Sequence, residues 1–395
     1  MSKDNNKKTP KVRFPGFNDD WEQRKLIEVC DYVDYRGKTP TKTENGIFLV
    51  TAKNVKDGFI DYETSKEYIS ENAYEEVMRR GKPEIGDVLI TTEAPCGNVA
   101  QVNRADIALA QRIIKYRGHI GVVDNTYLKY YLLSPEFQKI LNAKSSGGTV
   151  QGIKGSILHQ QKIIYPSYEE QKKIGQHMDS LDHLITLHQR KLEKLKEYKK
   201  GILQKMFPKS GEKVPEVRFP GFDGEWEEHK VSELCSISTG KSNTQDKVED
   251  GEYPFYVRSP IIERSTKYLY DEEAVLTVGD GVGTGKVFHY VNGKYDLHQR
   301  CYRMYDFSDE LNAHYFYHTF SKLFYKRVMA MTAKTSVDSV RLEMISDMKI
   351  PVPDIEEQRK IGSFLDNLDY LIALQQKKIA SLKEFKKGCL QQMFV

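Results

Sequence analysis

The chain repeats itself, and whatever its first half builds, its second half must build again. Pro10 to Cys30 reads PKVRFPGFNDDWEQRKLIEVC and Pro215 to Cys235 reads PEVRFPGFDGEWEEHKVSELC, with 12 of 21 positions identical at an offset of 205. Pro166 to Phe207 matches Pro353 to Phe394 at an offset of 187, with 25 of 42 positions identical. The segments between these pieces, 31–165 and 236–352, differ in length by 18 residues. They share only sparse echoes: Gly37-Lys38 with Gly240-Lys241, Gln111-Arg112 with Gln299-Arg300, Val150 with Val337. The order is therefore constant, variable, constant, constant, variable, constant. The boundaries fall at 1–30, 31–165, 166–207, 208–235, 236–352 and 353–395.

The longer repeat predicts a helix in each copy. Apolar residues recur at alternating spacings of four and three: Ile174, Met178, Leu181, Ile185, Leu192 and Leu195 in the first copy. Ile361, Leu365, Leu368, Ile372, Ile379 and Leu382 do the same in the second. That is a heptad seam of about five heptads, some 57 Å of helix. Polar members interrupt it, His188 aligned with Gln375 and Lys199 with Lys386, and such residues fix register. Pro166 and Pro353 stand just before the helices; Gly201 and Gly388 read as loosening the last turns. Equivalent halves predict that the two helices pack on each other antiparallel about a pseudo-two-fold axis.

Both variable segments read as strand-rich. Gly86 to Thr91 and Ala274 to Val278 look like buried strands, followed by Ile113 to Tyr116 and Cys301 to Tyr305. A helix is expected at Thr126 to Leu141 and another at Glu310 to Met329. The fold class is α+β: two domains with twisted, mainly antiparallel sheets, joined by the two long helices.

The loops between these strands carry small, polar and basic residues of the types that can pair with DNA. Arginine and lysine suit guanine edges, asparagine suits adenine, and serine, threonine and backbone N–H groups suit phosphates. The candidates are Arg36, Lys38, Thr39, Lys53, Asn54, Ser146 and Thr149 in the first segment. Lys241, Ser242, Arg258, Ser259, Lys334, Thr335 and Ser336 are those of the second. Net charge is only +4, but His188 to Lys205 holds seven Lys/Arg against two Glu, and local basic faces matter more than the total.

Other classes fall away. Five cysteines in no C-x-x-C spacing fit free thiols in a reducing compartment. Met1 to Lys11 lacks the apolar region of a secretion signal, and no run approaches a membrane span, so a cytoplasmic location is expected. Gly279 to Lys286, GDGVGTGK, misses the phosphate-loop spacing and has Val287 where Ser or Thr is needed, so it reads as a glycine-rich hairpin. His314 and His318 lack the further residues of a zinc motif. Asp354 and Glu384 lie about 45 Å apart on one predicted helix and could not share a metal as a nuclease requires. No catalytic residue and no metal site is expected.

With these pieces in place, the chain resembles the specificity subunits of Type I restriction-modification systems over essentially its whole length. The resemblance rests on the tandem constant and variable regions, and on helices that open with Pro166…Glu170-Gln171 and Pro353…Glu357-Gln358. The Arg13 to Trp21 and Arg218 to Trp226 segments add to it. It implies a non-catalytic DNA-binding subunit whose variable segments are target-recognition domains, each reading half of a bipartite, asymmetric site in double-stranded DNA. It implies that the paired helices act as a spacer and that two methyltransferase subunits dock on the constant regions, with restriction/motor subunits joining them. S-adenosylmethionine, ATP and Mg²⁺ would belong to those partners. The alternative reading is a duplicated coiled-coil scaffold for protein interactions. It explains the repeat, but not why the inserts diverge while the frame persists.

Overall fold

A computed structural model describes residues 9–35, 37, 39–147, 151–209, 211–281, 283–331 and 339–395. The chain divides into two compact units, the first built from two pieces of sequence and the second from one. Unit 1 is Met1–Gln189 with Lys377–Val395; unit 2 is Arg190–Gln376.

Unit 1 begins with β1 (Glu22–Lys25), the short α1 (Leu26–Val29) and β2 (Cys30–Asp34), then β3 (Ile47–Val50), β4 (Tyr68–Ile69) and α2 (Tyr74–Val77). It continues through β5 (Val88–Thr92), β6 (Cys96–Gln101), β7 (Ile107–Leu109) and β8 (Ile113–Gly118). Helices α3 (Asn125–Leu133), α4 (Pro135–Lys144) and α5 (Gly155–His159), then β9 (Lys162–Tyr165), lead into α6 (Tyr168–Lys205). An antiparallel sheet runs β2-β8-β5-β6, a second runs β4-β3-β7 with β3 and β7 parallel, and β1 pairs with β9. Strand β5 is buried on both faces, which is why it reads as an unbroken apolar run. Val88 and Ile90 face a core shared with α3 and α4, and Leu89 faces a second core with Phe48, Leu49 and Ile107. The single helix expected at Thr126 to Leu141 is two. Ser134 caps α4 by accepting from Phe137 N, and Pro135 at its first position cannot supply the N–H that would continue α3.

Unit 2 repeats the plan with β10 (Glu227–Lys230), α7 (Val231–Leu234), β11 (Ser236–Thr239), β12 (Tyr253–Tyr256) and β13 (Ile262–Ser265). Then come β14 (Tyr270–Val278), β15 (Phe288–Leu297), β16 (Cys301–Tyr305), α8 (Ala313–Met331), α9 (Leu342–Ser346), β17 (Lys349–Val352) and α10 (Ile355–Gln392). One sheet runs β11-β16-β14-β15-β12-β13, with only β12 and β15 parallel, and β10 pairs with β17. Along β14, Val275 faces the helical core while Ala274, Leu276 and Val278 face the other.

Each unit contains the start of one long helix and the end of the other, running antiparallel. In unit 1, Ile174, Met178 and Leu181 of α6 share a core with Cys389, Met393 and Phe394, and Leu382 packs against it. In unit 2, Ile361, Leu365 and Leu368 of α10 share one with Met206 and Phe207. Ile185, Leu192 and Ile379 are also buried; Leu195 and Ile372 are half-buried. The two seam lysines find carboxylates. Lys386 Nζ donates to Asp182 Oδ1 at 2.5 Å in unit 1, and Lys199 Nζ to Asp369 Oδ1 at 2.5 Å in unit 2. Helices α6 and α10 continue through Gly201 and Gly388 instead of loosening there.

The shorter repeat works as a clip. Arg13 donates to Glu170 at 2.9 and 2.7 Å, at the start of α6, while Val12 N donates to Gln392 O at 3.0 Å, at the end of α10. In unit 2 the helices exchange roles. Arg218 donates to Glu357 at 2.8 and 2.6 Å, and Val217 N to Lys205 O at 3.0 Å. Trp21 and Trp226, each 2% exposed, set an edge against Tyr127 and Tyr315 at 6.2 and 6.1 Å. Gln171 and Gln358 use both ends of their amides: each accepts from the residue that caps a preceding helix of its unit, α3 or α8, through Asp124 N and Asn312 N. Each also donates to the carbonyl of the proline before its own helix, Pro166 and Pro353.

Among the described residues no helix is long and apolar enough to cross a membrane. Nor do any three His, Cys, Asp or Glu side chains there cluster to hold a metal ion.

Candidate nucleic-acid interface

In both units the loops converge on one turn. In unit 1 it is Gln111-Arg112, just before β8. Arg112 O accepts from Thr92 N at 2.8 Å, and Thr92 O accepts from Ile153 N at 2.9 Å. Glu93 bridges to Gly152, which exchanges backbone bonds of 2.9 and 3.0 Å with Ser146. Gln111 Nε2 donates to Thr39 Oγ1 at 2.8 Å. The loops after β2, after β5 and after α4 thus meet around the turn. Arg112 holds φ at 73°, a conformation uncommon outside glycine, and its side chain reaches Glu93 at 3.6 Å. Beside it opens a cleft of about 260 Å³, lined by Thr39, Arg79, Arg80 and Gln111 among others.

Unit 2 reproduces this. Arg300 O accepts from Gly279 N at 2.8 Å, and Gly279 O accepts from Val340 N at 2.6 Å. Asp280 bridges to Ser339. Gln299 Nε2 donates to Asn243 Oδ1, and Gln299 N to Ser242 O at 2.8 Å. Asp280 takes Arg300 at 3.8 Å and Arg258 at 3.3 Å. Glycine is required at Gly240, since a Cβ there would stand 2.2 Å from Leu297 O. His298 Nδ1 accepts from Arg300 N at 3.0 Å; burial, reinforced by Arg258, lowers its pKa, so the ring acts as a neutral brace beneath the turn.

The sequence candidates divide accordingly. Thr39, Ser146, Lys241 and Arg258 are exposed on or beside the converging loops. Lys53 is exposed in a different turn, and Ser259, half-buried, accepts from Ile261 N at 3.2 Å. Arg36, Lys38, Thr149, Lys334, Thr335 and Ser336 lie outside the described residues. Two candidates are corrected. Asn54 is fully buried: its amide donates to Asp61 O and Ser65 O at 2.8 and 2.9 Å, and its Oδ1 accepts from Thr51 N at 2.9 Å. Ser242 is 2% exposed and its hydroxyl donates to Asp296 Oδ1 at 2.6 Å. Both side chains are buried and committed to internal bonds, out of reach of a base. Gln111, Arg112, Gln299 and Arg300 were absent from the candidates, although the Gln-Arg echo was visible; the signal was that an exposed turn keeps its residues while its surroundings diverge.

The histidine pair also finds its place. His314 and His318 on α8 flank Asp366 of α10 at 2.5 and 2.8 Å. Burial pushes the Asp366 carboxyl up, but its bonds to His318 and His314 hold it below the usual carboxylate range.

Comparison with known proteins agrees with this architecture. The family model described as Type I restriction modification DNA specificity domain matches twice, over residues 18–197 and 223–384. The Type I restriction enzyme MjaVIII specificity subunit of Methanocaldococcus jannaschii is 24% identical, over 93% of this chain and 91% of its own length. The crystal structure of a Type-I restriction-modification S subunit from M. genitalium has the same fold: TM-score 0.71 at 17% identity, covering 98% of this chain and 99% of that one. A second structure, from a study of complex assembly and conformational transition in the type I R-M system, gives a TM-score of 0.51 at 18% identity, covering 96% and 98%. The duplicated match spans most of both units, and the chain belongs to the Type I restriction-modification DNA specificity family.

Proposed function

We propose that this chain reads a two-part, asymmetric site in double-stranded DNA, one part with the loop end of each unit. It is a specificity subunit with two recognition domains and does no chemistry of its own. The observation that carries the reading is the matching set of backbone bonds around Gln111-Arg112 and Gln299-Arg300, dressed with different residues: Thr39 and Glu93 in one unit, Asn243, Arg258 and Asp280 in the other. A scaffold held constant beneath changed contact residues is what reading two different sequences requires. The interaction-scaffold alternative gains nothing from the matched family.

Methyltransferase subunits are the proposed partners, two in number, with motor and nuclease subunits joining through them. S-adenosylmethionine, ATP and Mg²⁺ are assigned to those partners and the assembly to the cytoplasm. A duplicated apolar surface supports the number two. Leu184, Leu187 and Phe385 are exposed by 40, 53 and 55% in unit 1. Their repeat equivalents Leu371, Leu374 and Tyr198 are exposed by 40, 45 and 51% in unit 2. Exposed apolar side chains of this size suit docking, and two like sets suit two copies of one partner. Single-molecule sequencing of methylated DNA from cells carrying the chain and its methyltransferase tests the reading. A split, non-palindromic motif is expected, and a perfect palindrome would refute it.

A further inference from the structure

The Gln-Arg turn poses a question that DNA reading alone does not answer. A residue that reads bases should differ between units that read different half-sites. A residue retained in both is held either by the core or by something common to all DNA. Gln111-Arg112 and Gln299-Arg300 are retained where nearly everything around them has changed. They are not core: Arg112, Gln299 and Arg300 are exposed and Gln111 is half-buried. What every DNA presents alike is its phosphate backbone.

The geometry divides the labour within each pair. The glutamine amide is turned back onto its own unit, to Thr39 Oγ1 in one case and Asn243 Oδ1 in the other, so it ties the turn to the loop after the first sheet strand. The arginine backbone is fixed by Thr92 N or Gly279 N, and in unit 1 is held in a left-handed conformation. Its side chain is left at the surface. Arg112 and Arg300 stay 47 and 66% exposed and meet their carboxylates, Glu93 and Asp280, only at 3.6 and 3.8 Å. Pairs that long and wet are loose. A phosphate can replace the carboxylate without unfolding anything.

We propose that Arg112 and Arg300 are sequence-independent phosphate anchors, one per unit, positioned by Gln111 and Gln299. The neighbouring residues that differ between units read the bases. This rests on the DNA-recognition reading above and adds to it which exposed cations carry no sequence information.

The test uses the full chain with its methyltransferase subunits and two duplexes of equal length, one bearing the motif found by sequencing and one scrambled. Affinity is measured across a salt series. Arg112→Ala and Arg300→Ala should each weaken both duplexes by the same factor. Each should lower the slope of log affinity against log salt by about 0.9, and the double variant by about 1.8. The methylated motif should be unchanged. Arg112→Lys and Arg300→Lys should restore the slope, because a phosphate accepts the point charge of a lysine as well as the guanidinium fork. Three results overturn the proposal: a motif that becomes degenerate at one base pair, a Lys variant that binds the scrambled duplex normally but loses the motif, or Ala variants with an unaltered slope. A wild-type complex that methylates no motif would instead remove the DNA-recognition reading itself.

Discussion

Arg13 and Arg218 each set a guanidinium on a carboxylate that is almost wholly buried, Glu170 and Glu357 being 1 and 0% exposed. The hydrogen bond to the carboxylate is the main reason each arginine's pKa is raised. Removing one partner strands the other charge. Arg13→Ala should destabilise unit 1, and Arg218→Ala unit 2, by about 3–5 kcal/mol, whereas replacing both partners of a pair by apolar residues should cost far less. Chemical denaturation of the variants measures this. The sequence displayed all four residues in its repeats but not their pairing, because partners 157 and 139 positions apart lie beyond any local spacing rule. Another buried carboxylate gives a pH dependence. Burial pushes Asp87 up, yet its bonds from Arg117 and Glu84 N, with the charge of Lys115, hold it below the ordinary value of 3.8. Its stabilisation is therefore complete above that pH and is lost as pH falls through the lower folded value. Thermal melts between about pH 2 and 5 should show this loss, and Asp87→Asn should flatten it.

The two long helices were legible as elements because heptad spacing is a local signal. The break between α3 and α4 was also written locally, as Ser134-Pro135, but the apolar pattern running through it masked the stop. The Lys199–Asp369 and Lys386–Asp182 pairs could not be read from one helix alone, since each joins a seam lysine to the facing helix. Helix length should have functional meaning. Seven residues added after Lys191, and seven in step after Lys378, lengthen each helix by about 10.5 Å and keep the heptad phase. The gap in the methylated motif should widen while both half-sites stay as they were; methylation sequencing reads this, and an unchanged gap would show that the helices only fasten. The duplicated apolar flank yields another test. Leu184→Glu with Leu187→Glu should remove one methyltransferase from the assembly, and adding Leu371→Glu with Leu374→Glu should remove both, as counted by native mass spectrometry.

Constant frame and variable insert define the molecule as a whole, and that plan was plain in the sequence because duplication survives divergence. The candidate contact residues were less legible. Asn54 and Ser242 have the right chemistry for DNA but are spent on internal bonds, and only burial distinguishes them from Thr39 or Lys241. If each insert is seated by a common frame, exchanging 31–165 with 236–352 should preserve assembly and reverse the order of the half-sites in the methylated motif. An insoluble or unfolded product on gel filtration would mean that each insert relies on contacts private to its own frame.

Unit 1 is not a single stretch of chain in the order of its synthesis. Unit 1 opens the sequence, yet its core takes in Cys389, Met393 and Phe394, with Phe394 5.5 Å from the Tyr127 ring. Unit 2 is contiguous, and its matching Phe207 lies near its start, ahead of Trp226 and Tyr315. On the ribosome, the domain begun first must therefore wait for its last helix turns until all of Arg190–Gln376 has been made, roughly 10–40 s at about 5–20 residues per second. The later-born unit can close before the earlier one. During that interval the exposed edge of Tyr127, Ile174 and Met178 is a surface for chaperones, or for the trailing helix of another copy being made on the same message.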